Sequence, residues 1–252
     1  MRTSNEEFFI GWQGKTPEQG AKYLRKVVLA VLIAVAAIAI GMAVFQQTIA
    51  RAWFEFGHVR VFKGLLIESP VPMLLADERD ETSGESVFLL VSPLKYGYPA
   101  EMAKQFHLRP VTIRGTLIYS ESGGAMIEAV ETLSLEAPAG STAPSLGKGS
   151  ETQVTLAGEI VDSKCWLGVM NPGSLKPHRA CAINCIRGGI PPVLLVNRSD
   201  MYVLVGPNGE PVNDAVLKHV ALPISVSGTL VNYGSLRIFK IDPSAIQMAE
   251  MR

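Results

Sequence analysis

The chain has 252 residues, with 23 Lys and Arg balanced by 23 Asp and Glu, four His, three Cys and a hydrophobic share of 48%. That length holds one large domain or two small ones, once any membrane segment is subtracted. Zero net charge excludes the excess of Lys and Arg that displaces counterions from phosphates, and no Gly-rich phosphate loop is present, so neither a nucleic-acid partner nor a nucleotide cofactor is expected.

After an N-terminal segment, residues 1–26, comes "VVLAVLIAVAAIAIGMAVF", Val27 to Phe45, without a charged or strongly polar residue. At ~1.5 Å per residue it spans roughly 28 Å as a helix, close to the thickness of a bilayer's hydrocarbon core. A transmembrane helix over residues 27–46 is therefore expected, with the lipid bilayer as its partner. The late start of the apolar run, and the lack of a small-x-small cleavage site beyond Phe45, argue for an uncleaved anchor. Arg2, Lys15, Lys22, Arg25 and Lys26 precede it, whereas only Arg51, Arg60 and Lys63 follow closely. The positive-inside rule then places residues 1–26 in the cytoplasm and the rest outside. In a bacterium this is a single-pass protein of the inner membrane with periplasmic domains.

Two strand-rich regions follow, expected as domains over residues 57–136 and 152–246. Between them lies "EAPAGSTAPSLGKGSE", whose Ala, Pro, Gly and Ser supply no core, so residues 137–151 read as a linker. The first region carries "FKGLLIES", "SVFLLVS", "VTIRGTLIY" and "AMIEAVETL"; the second carries "LAGEIVDS", "PVLLVN", "ISVSGTLVNY" and "LRIFKIDPS". Gly64 matches Gly158, Glu68-Ser69 matches Asp162-Ser163, and Gly115-Thr116-Leu117 matches Gly228-Thr229-Leu230, the pattern of a diverged tandem duplication. Short segments rich in Val, Ile, Leu and Thr make each copy a small β domain. An interior Gly at a strand bend, followed by further antiparallel strands, suits an OB-type Greek-key barrel. The expected architecture is thus an all-β outer region of two tandem OB-like barrels behind one N-terminal transmembrane helix. Short helices are expected at Pro99–Leu108 and Asp214–Leu222, and a hairpin turn at "NRSD", Asn197 to Asp200.

All three cysteines and one histidine fall in "CWLGVMNPGSLKPHRACAINC", Cys165 to Cys185. Matching "SVFLLVS" with "PVLLVN" gives the second copy about a dozen extra residues there, while the first copy folds without cysteine. The insertion reads as a site grafted onto a scaffold. Pro177 suits a first helical turn, and Gly188-Gly189 before Pro191-Pro192 stops a helix, so Pro177–Arg187 should be helical. At 100° per residue His178, Cys181 and Cys185 share one face, which Cys165 can fold back to meet. Three readings stand. One is a Cys₃His metal site of Cys165, His178, Cys181 and Cys185, suited to zinc, copper or iron. Another is a disulfide from Cys165 to Cys181 or Cys185, stapling the insertion and leaving an odd thiol. The bland one has the cysteines as small apolar residues of a packed helix. Asp162 could orient His178, Met170 could be a soft axial ligand, and His219 lies in the same domain, all as weaker candidates. Positive charge in "MNPGSLKPHR" is expected to lower the thiol pKa values.

The spacing of Cys181 and Cys185 is similar to that of periplasmic copper chaperones and of the binuclear copper domains of respiratory oxidases, but here His178 precedes the pair. A wider match is carried by "GEIVDSKC", Gly158 to Cys165, with His178, Cys181, Cys185, "PPVLLV" and "VSGTL". Over the last hundred or so residues the chain resembles a group of exported bacterial domains of unassigned function with the pattern Gly-x-Ile/Val-x-Asp-Ser-x-Cys, then His, Cys and Cys. The resemblance implies a small exported OB-like domain, singles out the same four residues and supplies no activity. No nucleophile–base set occurs elsewhere. The leading expectation is a membrane-anchored periplasmic metal-binding or redox accessory module beside a membrane or periplasmic partner. The alternative is a metal-free assembly module with a disulfide-stapled docking loop. The first domain is expected to be a spacer or a protein-binding surface.

Overall fold

The structure, a computed structural model, describes residues 18–47, 52–134 and 149–249; the N-terminal residues 1–17 and most of the linker lie outside the described residues. Helix α1 runs Glu18–Gln47. It starts before the apolar run because Glu18, Lys22 and their neighbours are good helix formers, with Lys22 Nζ 2.8 Å from Glu18 Oε1 one turn away. The part from Glu18 to Phe45 is long and apolar enough to cross a membrane.

The remaining described chain forms two closed five-stranded barrels. In the first, β2 (Arg60–Ile67), β3 (Met73–Ala76), β4 (Val87–Val91), β5 (Pro110–Ser120) and β6 (Ala125–Ser134) are joined in the order β5-β2-β3-β4-β6, and β5–β6 pairing closes the ring. Only β4 and β6 run parallel. The short β1 (Ala52–Phe54) adds to β5, and α2 (Ala100–Gln105) precedes β5. The second barrel repeats this with β7 (Thr152–Asp162), β8 (Pro192–Val196), β9 (Asp200–Val205), β10 (Pro223–Tyr233) and β11 (Leu236–Ile241), the parallel pair being β9 and β11. Helix α4 (Asn213–Val216) with the 3₁₀ turn Leu217–His219 stands where α2 stands in the first, and β12 (Gln247–Met248) extends the sheet beside β10. This is the expected OB-type order, twice.

The matched glycines have one cause. A Cβ on Gly64 would lie 2.1 Å from the Leu75 carbonyl oxygen, and one on Gly158 would lie 2.2 Å from that of Leu195. Likewise a Cβ on Gly115 would meet Glu128 O at 2.5 Å, and one on Gly228 would meet Lys240 O at 2.2 Å. These are the points where each barrel's first and fourth strands bend sharply over a neighbour, so only glycine fits.

One strand match changes. "PVLLV" is β8, the second barrel strand, and its counterpart is β3, "MLLA", not "SVFLLVS", which forms β4, the third. The corrected insertion between β7 and β8, residues 163–191, therefore replaces only residues 68–72 of the first copy. An opposite change hid this. The loop between β3 and β4 spans residues 77–86, whereas β8 and β9 are joined by 197–199, with Asn197 and Arg198 at φ 50° and 60°, a tight hairpin turn.

The two apolar runs look alike because both are buried on both faces. Leu66, Leu74, Phe88 and Leu90 fill the first barrel, and Ile160, Leu194, Leu204 and Phe239 fill the second. Their alternate neighbours join a third cluster that belongs to both barrels: Leu65, Ile67, Met73, Leu89 and Val91 pack with Val161, Val193, Leu195, Val203 and Ile238. The barrels thus meet through equivalent faces.

Replacing Gly158 with Ala should destabilise the full-length chain in detergent by more than about 4 kcal/mol, because backbone must move. Gly57→Ala, where φ is +83° and nothing lies within 4 Å, should cost only about 1 kcal/mol. Denaturant unfolding of both variants checks the contrast.

Candidate functional site

Strand β7 ends at Asp162, inside the protein. Its Oδ1 accepts the Cys165 backbone N–H at 2.8 Å and so starts a wide turn, Cys165–Val169, kinked at Gly168 with φ 152°. The Oδ2 oxygen lies 2.8 Å from His178 Nε2. One buried carboxylate therefore fixes both the first cysteine and the histidine ring.

His178 comes from α3 (Leu175–Arg187), which starts close to the expected Pro177. Leu175 is left-handed at φ 67° and gives its N–H to Glu159 Oε1 at 2.9 Å, so the regular helix begins one residue later, with Pro177 in its first turn. At the other end Asn213 Nδ2 donates to the carbonyl of Ile186, in the last turn, and to that of Ile190, just past it, at 2.7 and 3.0 Å, tying the helix end to the following chain. His178, Ala182, Cys185 and Ile186 face inward, and Cys181 is half-buried at the rim.

All three thiols are free. Donor atoms of Cys165, His178 and Cys181 lie within 4.8 Å of one another, and so do those of Asp162, Cys165 and Cys185. The four expected residues are thus brought into one neighbourhood as two overlapping triads that share Cys165. A tetrahedral ion with bonds of ~2.3 Å holds its donors roughly 3.8 Å apart, so the 4.8 Å that bounds each triad is somewhat wider than a bound set would be. With Nε2 given to Asp162, the histidine has Nδ1 left for an ion. Asp162 takes part more closely than its expected role behind the histidine. Met170 is bound through its backbone, N–H to Cys165 O at 3.3 Å, and its side chain is half exposed. His219 sits in the 3₁₀ turn and belongs to neither triad, its pKa lowered by burial and by Lys218.

The thiols differ. Cys165 is pushed far up by its hydrogen bond to Cys185, by burial and by the Asp162 carboxylate. Cys181 is raised by burial and by Cys185, against the pull of Lys95. Cys185, which receives the Cys165 hydrogen bond, is lowered and is the sulfur favoured as thiolate. A uniform lowering by the 170–179 loop does not occur, because the cation at the sulfurs comes from elsewhere: Lys95 Nζ lies 3.5 Å from Cys181 Sγ.

Lys95 belongs to the first barrel, which is therefore no mere spacer. Its loop, residues 92–97, is docked on the insertion. Lys164, beside Cys165 and 2% exposed, reaches across to Ser92 O and Leu94 O at 2.9 and 2.7 Å and pairs with Glu128. The Gly97 N–H donates to Gly188 O at 2.9 Å. Lys164, next to Asp162 and Ser163 in "IVDSKCWLGV", and Lys95 in "SPLKYGYP" carry no local sequence signal of this contact.

No family model, no curated protein and no solved structure matches this chain. Its function has to be read from the chemistry of the cluster itself.

Removing the Lys164 ammonium leaves Glu128 half-enclosed without its cation. Lys164→Ala should cost about 3–5 kcal/mol, and the apolar double variant Lys164→Met with Glu128→Leu should recover most of it. Denaturation midpoints of the full-length chain in detergent report both.

Proposed function

We propose that this chain is a membrane-anchored accessory module that holds one thiophilic metal ion, zinc, copper or iron, with Cys165, His178, Cys181 and Cys185 outside the cytoplasmic membrane. The observation that carries the reading is the convergence of Cys165, His178 and Cys181 within 4.8 Å, with His178 oriented by a buried carboxylate 2.8 Å away. Soft sulfur with one nitrogen selects these metals over calcium or magnesium. A carboxylate behind a ligating imidazole is the usual means of fixing its tautomer and strengthening it as a donor. Two of the thiols are buried and all are free, which supports a closed, structural or electron-carrying centre over an open hydrolytic one.

The excess of Lys and Arg before α1 supports an N-terminus in the cytoplasm and barrels in the periplasm of a bacterium. The resemblance to exported domains with the same four residues points the same way, and the partner fits a membrane protein or a periplasmic protein. A disulfide-stapled, metal-free docking loop is the competing reading.

Full-length protein purified anaerobically in detergent without chelator should carry about one equivalent of zinc, copper or iron per chain by elemental analysis. Cys185→Ser should lose it, and Asp162→Ala should weaken it by ~10–100-fold. Absence of metal together with one free thiol after air exposure would sink the reading in favour of the disulfide.

A further inference from the structure

An ion held by all three sulfurs as thiolates would sit among four negative charges with the Asp162 carboxylate, and a divalent ion returns only two. Lys164 does not answer the rest, since its ammonium is turned away to Glu128 and two carbonyls of the first barrel. Lys95 is the cation that reaches a sulfur, at 3.5 Å from Cys181, and Cys181 is the least buried of the three.

The approach is built into the backbone. Tyr96 O accepts the Ser92 N–H at 3.0 Å, Gly97 bridges to Val91, and Leu94 takes the left-handed conformation at φ 61°. The loop is then clamped from the insertion side by Lys164 and by the bond from Gly97 to Gly188. The Lys95 carbonyl oxygen lies only 1.9 Å from where a Cβ on residue 188 would stand, so the glycine that ends α3 is also the one that admits this loop. The stem of Lys95 thus starts from a fixed point over the rim, within reach of Cys181.

We propose that Lys95 is a positioning residue of the second barrel's ion site, supplied by the first barrel: it donates N–H···S to Cys181 and offsets the site's negative charge so that a divalent ion is held well. The inference rests on the metal reading above. A hydrogen bond to a ligating thiolate lowers the sulfur's donor energy, and a positive charge beside it offsets the negative charge that a sulfur-rich set keeps around a divalent ion. A monovalent ion such as copper(I) binds well with fewer thiolates and depends less on the ammonium.

The test uses full-length protein in detergent and three probes: zinc(II) and copper(I), each competed with a chromophoric chelator, and cobalt(II) read by its sulfur-to-metal charge-transfer band. Lys95→Gln should weaken zinc about tenfold or more, change copper(I) by less than about threefold and move the cobalt band to longer wavelength, while Lys95→Arg restores much of each. Metal-free Lys95→Gln should unfold at the wild-type midpoint, because the side chain is exposed. Unchanged zinc affinity and cobalt band in Lys95→Gln, with the ion still lost in Cys185→Ser, would overturn the role of Lys95 and leave the metal site standing. Equal losses for zinc and copper(I) would overturn the charge assignment. A wild-type chain that binds none of the three ions would bring down the metal reading and this one with it.

Discussion

The apolar seam between the two barrels is the contact on which the outer region depends. Leu65, Ile67, Met73, Leu89 and Val91 on one side and Val161, Val193, Leu195, Val203 and Ile238 on the other are all at most 4% exposed. Each such side chain is worth roughly 1.5–3 kcal/mol when removed from water, so neither barrel is complete without the other. The seam also decides where chemistry can sit. Small barrels of this topology use the face of their second and third strands for ligands, and here those faces are turned against each other. The long loop between β7 and β8 lies where the seam ends: Cys165, Trp166, Leu167 and Cys185 belong to the same apolar cluster as the seam itself. The sulfurs thus stand in a low-dielectric setting with one rim open.

Within that loop Asp162 is the hub. A carboxylate at no solvent exposure is costly unless its oxygens are satisfied, and both are, by the Cys165 N–H and by His178. The counterpart in the first copy is Glu68, whose backbone N–H donates to His107 Nδ1. Its following loop is too short to return a helix over the barrel end. The same starting position therefore became a turn in one half and an anchor for donors in the other.

The fold was largely legible in the residues because its causes are local. The β-branched runs and the unbroken apolar stretch state backbone requirements of their own, and the glycines mark in both copies where a neighbouring strand's carbonyl leaves no room for a Cβ. Register between the copies was harder. "SVFLLVS" and "PVLLVN" are both buried on two faces, so alternation, the signal that separates one strand from the next, is absent from each. With a long loop lost in one place and gained in another, the two runs matched by composition while belonging to different strands. The helix with its donor face could be read from spacing. The lysines could not, because Lys95 meets Cys181 and Lys164 meets Glu128 across the seam. Contacts of that range depend on how the barrels dock.

Two halves that meet through equivalent faces invite comparison with the self-complementary interface of a twofold dimer, here with one chain supplying both. A symmetric dimer would be bound to carry any insertion twice, once at each end of its interface, and any cation facing it twice as well. Joining the copies in one reading frame removes that obligation. One half could lengthen the loop after its first strand while the other kept a bare turn and changed only what faces its sister. The asymmetry of residues 163–191 against 68–72 is thus open to two barrels in one chain and closed to identical subunits: a single long insertion per pair, with the other barrel's loop as its wall.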